Sequence, residues 1–340
     1  MRTLRRTGIA LTAISSALVM ATSGISPTSA AQRPQPSWHR TISGDAITPF
    51  QVARHRGSVY FSDGFAGTIS KITRRGTKVV ARVKGEIAGV EFSPRGAMAF
   101  TAGTGSSNTL RIRRPGHRTV VAHLKSFEVR QNPDAARTYG VVGGGNDCAN
   151  SFFEEITGGP ATYTGLVDSH PYQVASLPGD AWAVADAAGN AILRVNRRGH
   201  VSTLALLPPQ PLTFTQEQAD AMGAPECIVG VTYAFEPVPT DVERGPNGSL
   251  YVSTLPGGPE DPSLGARGSV YKISRNGNVR RMATGFLGAT NLAVTPRGVV
   301  YVSELFAGQI TRVGRGGARR QAVAVDSPVA VEVTRSHLYV

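Results

Sequence analysis

Six times along the chain the same order of residues begins, and all but the last copy carry it through: an apolar-alternating run, a tight glycine turn, a second run, a gap, a third run, a basic-glycine turn and a fourth run. The copies start at Pro49 ("PFQVARHRGSVYFSD"), Ile87 ("IAGVEFSPRGAMAFTAG"), Pro171 ("PYQVASLPGDAWAVAD"), Pro239 ("PTDVERGPNGSLYVST"), Ala289 ("ATNLAVTPRGVVYVSE") and Pro328 ("PVAVEVTRSHLYV"). Period-two alternation bounded by glycine, asparagine and proline turns is the pattern of short antiparallel strands. One such four-stranded sheet cannot bury its own faces, so repetition at about 40 residues stacks each sheet on its neighbours. The expected fold is all-β, a six-bladed β-propeller of four-stranded antiparallel blades.

The last copy stops after its second strand and lacks an equivalent of "GSVYKI". The segment "HRTISGDAIT" before the first copy resembles an outermost strand, so the sixth blade is expected to be closed by N- and C-terminal segments together. Long insertions interrupt the pattern at about residues 126–170, 208–238 and 255–268. In a propeller these connections emerge on one face, which makes that face the expected binding surface. The second insertion holds a short helical candidate from Thr215 to Met222, opened by a capping box of Thr215 and Gln218. Cys148 and Cys227 lie in the first two insertions and are expected to form one disulfide across that face.

The chain opens "MRTLRRTGIALTAISSALVMATSGISPTSAAQ", with arginines ahead of a short apolar core and a small-residue segment. Residues 1–30 read as a signal peptide cleaved near Ala30, followed by a single propeller domain over residues 31–340 in a secreted, extracellular, monomeric protein without a transmembrane anchor. The formal charge of +13 falls to +10 without Arg2, Arg5 and Arg6. The remaining arginines stand singly or in pairs beside glycine, without interleaved aromatics, and give no specific nucleic-acid signature.

Two sets of aligned positions carry the candidate chemistry. At the third place of each copy stand Gln51, Gly89, Gln173, Asp241, Asn291 and Ala330, a largely polar ring expected around the channel. At the end of the second strand stand Asp63, Asp186 and Glu304, with Thr254 as the fourth-copy equivalent. These carboxylates either face a polar ligand or cation, or cap their own loops through backbone N–H groups. Asp168 and His170 sit just before the third copy, with Tyr172, Phe235 and Glu236 as possible neighbours at the same mouth. No metalloprotease, Cys-x-x-Cys, nucleophile-elbow or phosphate-loop motif is present, and no cofactor is called for.

The runs "DSHPYQVASLPGDAWAVADAAGNAILRV", "STLALLPP", "PVPTDVERGPNGSLYVSTLPGGPEDPSLGARGSVYKI" and "ATGFLGATNLAVTPRGVVYVSEL" occur in order between about Asp168 and Val313. In this half the chain resembles the ScyD/ScyE family of exported bacterial propeller proteins. That resemblance implies a secreted, NHL-like six-bladed propeller, read here as a non-catalytic binding protein for an extracellular small molecule, glycan or protein. The alternative is a calcium-dependent propeller hydrolase of the gluconolactonase type, working at the central channel. Such enzymes place an acid or amide just before a glycine on inner strands, where this chain has Thr240 and Thr290, with Asp241 and Asn291 one position later.

Overall fold

The computed structural model describes residues 40–340 except 45 and 105, so the expected signal peptide lies outside the described residues. Five of the six repeat copies fold as four-stranded antiparallel meanders with strands in sequence order. The first runs Pro49–His55, Ser58–Asp63, Thr68–Thr73 and Gly76–Arg82. The others begin with Val90–Phe92, Pro171–Leu177, Pro239–Arg244 and Ala289–Val294. We number these units one to five. In units one, three, four and five the pairing of the first two strands slips just after the opening residue, at Pro49/Gln51, Pro171/Val174, Pro239/Asp241 and Ala289/Asn291. The repeated slip is a bulge built into the repeat, and it re-aims the side chains at the entrance of each first strand.

Packing follows the alternation read from the sequence. Val174, Trp182, Val184 and Leu193 of unit three bury against Ala99, Leu110 and Ile112 of unit two. The opposite face of unit three, with Ala175, Ala183 and Ile192, meets Val242, Val252 and Tyr271 of unit four. Each sheet is thus sandwiched between its neighbours, and full burial of each large aliphatic side chain is worth about 1.5–3 kcal/mol. Hydroxyl groups stitch the units at their inner edges. Ser62 donates to the Ala88 carbonyl, Thr101 to Tyr172, Thr240 to Ala289 and Thr290 to Val329, in each case from one unit to the next.

The sixth copy departs from expectation. It forms a two-stranded sheet of Glu332–Val333 and Leu338–Tyr339, and among the described residues no N-terminal strand joins it. The described part of "RTISGDAIT" is irregular because its end is drawn elsewhere: the Ile47 and Thr48 amides and the Thr48 hydroxyl all donate to Asp63. Glu332–Val333 nevertheless packs beside both the first strand of unit five and that of unit one. Arg54 of unit one lies 5.0 Å from the ring centre of Tyr339.

The insertions form a structure of their own. The first carries helix α1 (Leu124–Gln131) and helix α2 (Asp147–Thr157); the second carries helix α3 (Gln216–Met222). Strands Thr162–Thr164, Thr138–Val141, Thr232–Phe235 and Gln210–Thr213 pair in that order into a further four-stranded sheet, to which both insertions contribute. The expected capping box is present: the Thr215 hydroxyl accepts from the Gln218 amide, and the Gln218 side chain accepts from the Thr215 amide. Phe153, Phe214, Tyr233 and Phe235 form the centre of this small core, joined by Leu264 of the third insertion. Gln218 also donates to the Leu264 carbonyl. The expected disulfide joins Cys148 to Cys227, tying the start of α2 to the short helical turn Glu226–Ile228. Closing a loop of 79 residues contributes about 4 kcal/mol by constraining the unfolded chain. Among the described residues no helix is long and apolar enough to cross a membrane.

Candidate functional site

At the third place of units one, three, four and five the polar side chains form a buried layer. Gln51 is 2% exposed, and Gln173, Asp241 and Asn291 are fully buried. Asn291 donates to Gln51 at 2.8 Å and accepts from the Val331 amide, while Gln173 donates to the Phe50 carbonyl. The two oxygens of Asp241 accept from the Val242 and Leu292 amides. Gly89, at this place in unit two, makes the reach of Gln173 possible. A Cβ on Gly89 would stand 2.7 Å from the Tyr172 carbonyl and 2.9 Å from the Gln173 side-chain oxygen, so Gln173 reaches unit one across a position that only glycine leaves open. The arrangement is a hydrogen-bonded plug across the channel.

The carboxylates that end the second strands each hold the segment entering their own unit. Asp63 takes Ile47 and Thr48, Asp186 takes the His170 amide and the Ser169 hydroxyl, and Glu304 takes the Leu287 amide, Gln309 and Thr311. Thr254 accepts from Gln210. None of these four residues lines either of the cavities described below, and no hydrogen bond joins them to one another. Burial holds the Asp186 carboxyl above its ordinary range, at about 6, against the hydrogen bonds that favour its charge.

Above the plug, residues at the second place of the units surround an open mouth. Phe50 and Tyr172 pack with ring centres 5.6 Å apart, with Thr240, Thr290 and Val329 on the other side. This cavity measures about 510 Å³. His170 stands at its edge with Nε2 3.3 Å from a Glu86 carboxylate oxygen. Burial works against the charged imidazole, but Glu86, with Asp186 and Asp168 behind it, raises the His170 pKa overall. Asp168 pairs with Lys125 at 2.7 Å.

A second cavity of about 650 Å³ opens between the insertion sheet, helix α2 and the loops around Ala188 and Leu255. Its largely apolar wall includes five aromatic rings, those of Phe153, Tyr163, Phe214, Tyr233 and Phe235. Tyr233 and Phe235 stand 4.7 Å apart, as do Phe153 and Tyr233. Glu236 enters this wall and accepts a 3.1 Å hydrogen bond from the Tyr163 hydroxyl. Leu255 and Glu260 line both cavities, so the two adjoin.

Two groups of residues escaped the sequence reading. At the fifth place of the first strands, glutamates alternate with alanines: Ala53, Glu91, Ala175, Glu243, Ala293, Glu332. The three glutamates, half-buried, face one another and Asp241 below the plug. Burial and then Glu332 push Glu91 up to about 8, burial brings Glu332 to about 7, and burial with Asp241 and Glu91 raises Glu243. The signal was available two residues beyond the third place. The other group surrounds Glu128 of α1, which is fully buried with neither carboxylate oxygen hydrogen-bonded. Burial, then Asp186 and Asp134, push it up to about 8. Among the described residues no three His, Cys, Asp or Glu side chains are arranged as a metal-binding group.

No family model and no curated protein matches the chain. Among solved structures it is similar to a gluconolactonase from Xanthomonas campestris, with a TM-score of 0.50 at 11% identity, covering 88% of this chain and 84% of that one. A streptogramin B lyase aligns with a TM-score of 0.49 at 13% identity, over 86% of this chain and 76% of the other. The PQQ-bound aldose sugar dehydrogenase from Streptomyces coelicolor gives 0.48 at 12%, over 86% and 87%. At these identities the likeness speaks to the fold alone, a β-propeller, although all three neighbours are enzymes.

Proposed function

We propose that this chain is an exported, non-catalytic ligand-binding propeller of six units, the two-stranded sixth included, whose site is the pair of adjoining cavities on the insertion face. The observation that carries this reading is the 650 Å³ aromatic cavity, assembled from all three insertions and held by the Cys148–Cys227 bond. Its volume and its largely apolar wall with a few polar groups are those of a small-molecule site. The disulfide supports work in an oxidising compartment, and the resemblance to the ScyD/ScyE proteins belongs to the same proposal.

A lactonase at the channel is the weaker reading. Asp241 and Asn291, its nearest equivalents of metal ligands, spend their oxygens on backbone amides, and the likeness to the gluconolactonase, at 11% identity, is one of fold. The test is a ligand-detected NMR screen of small apolar molecules against the protein and a Leu166→Trp variant, which fills the rim of the larger cavity. Binders lost in the variant support the reading. A set of hits indifferent to the variant, or lactone turnover by the unmodified protein, overturns it.

A further inference from the structure

The chain carries 36 lysines and arginines against 23 acids, so a cavity wall drawn at random from its surface would be basic. Neither cavity follows that composition. Among the described residues that line them there is no lysine, arginine or histidine, whereas Glu236 and Asp168 line the larger, Glu86 and Asp326 the smaller, and Glu260 both. Asp168 is already answered by Lys125, and Glu86 by His170. Among the described residues Glu236 has no cationic partner: its carboxylate is met by the Tyr163 hydroxyl and the Asn190 side chain, both uncharged, and it is set among aromatic rings. A desolvated carboxylate without a counter-charge is costly, and aromatic faces attract cations through their quadrupoles. The same wall shows that attraction in use: the Arg267 guanidinium lies 4.6 Å from the ring centre of Phe235, held by its bond to the Gly257 carbonyl, and is itself not a lining residue.

We infer that the larger cavity takes an organic cation, an amine or quaternary ammonium on an apolar body, with the charge beside Glu236 within the box of Tyr163, Tyr233 and Phe235. This rests on the binding reading above and narrows it to one ligand class. Burial raises the Glu236 carboxyl above its ordinary range, with hydrogen bonds from Asn190 and Tyr163 opposing, so an arriving ammonium supplies the counter-charge that the wall lacks. Glu260, exposed where the two cavities meet, gives the cation a second carboxylate on the way in.

The probes are benzyltrimethylammonium and its uncharged carbon isostere, neopentylbenzene, followed by saturation-transfer NMR with the full-length mature protein and with Glu236→Gln, whose fold is checked by circular dichroism and melting. Since the isostere matches shape and apolar area, the ratio of the two affinities isolates charge. The expected result is at least tenfold tighter binding of the ammonium, with the preference falling to near unity in Glu236→Gln while isostere affinity holds. If Glu236→Gln fails to fold, Glu260→Gln together with Tyr233→Leu serves instead, and the preference should fall by severalfold. Equal affinities, or tighter binding of the isostere, overturn the cation inference and leave the binding reading standing. Absence of binding by either probe, with hits from the broader screen also absent, removes both.

Discussion

Asn291 of unit five and Gln51 of unit one meet in a 2.8 Å side-chain hydrogen bond, over Ala330 of the two-stranded unit between them. A partner 240 positions away in sequence closes the plug at the place where the sheet architecture is thinnest. Replacing Asn291 by Ala leaves buried acceptor and donor groups on Gln51 and Val331 without partners. We expect a loss of about 2–4 kcal/mol, seen as a lower urea midpoint with an unchanged slope.

Glu128 tests what a buried acid without partners does to the fold. Its native pKa of about 8 lies above that of the unfolded chain, so the native state keeps a proton that the unfolded state releases. Stability is therefore full at acid pH and declines as pH rises from the ordinary glutamate range through about 8. Glu128→Gln removes that decline and should gain on the order of 3 kcal/mol near pH 8, with little change at pH 4. Melting at the two pH values checks it, and a variant less stable at both would assign Glu128 a partner.

The glutamate ring below the plug makes the same prediction by a second route. Burial raises Glu91, Glu243 and Glu332, and Glu332 adds to the rise of the other two. Glu91→Gln with Glu243→Gln should raise the melting temperature at pH 8.5 and leave it unchanged at pH 4, as followed by calorimetry.

Chelation addresses the calcium reading directly. Because Asp241 and Asn291 already serve backbone amides, the melting temperature is expected to be the same in calcium and in a chelator. A clear drop on chelation would return the channel to consideration as a metal site and make Asp241→Asn the first variant to assay for lactone hydrolysis.

Removing the disulfide should act locally. Cys148→Ala with Cys227→Ala costs up to about 4 kcal/mol, confined to the insertions. Hydrogen exchange should quicken in α2 and the Glu226–Ile228 turn and stay unchanged in units one and five, and affinity for the cavity's ligand should fall.

The meanders were legible because alternation and turn chemistry repeat: Val52, Val174, Val242, Leu292 and Val331 occupy one place in successive copies. Thr215 with Gln218, and the two cysteines, were legible because their chemistry is local or pairwise. The insertion sheet was not, although "RTYGVV" and "VTYAFE" have strand composition, since Thr138–Val141 and Thr232–Phe235 pair across the whole of unit three, which lies between them in sequence. The glutamate trio was hidden for another reason. It sits among alanines on alternate units, so a place-by-place reading averages it away. The irregular N-terminal segment was misread because its alternation resembles a strand, while Asp63 supplies its amides with a nearer partner than any sheet.

Leu255 and Glu260 form a party wall between two chambers, and that wall is pinned to the strand end that carries the charge. The Gly257 amide donates to the Glu236 carbonyl and the Leu255 amide to that of Val238. Were an occupant of one chamber to displace this wall, the other chamber would change shape with it, and the affinities of two guests would be linked by one reciprocal coupling free energy.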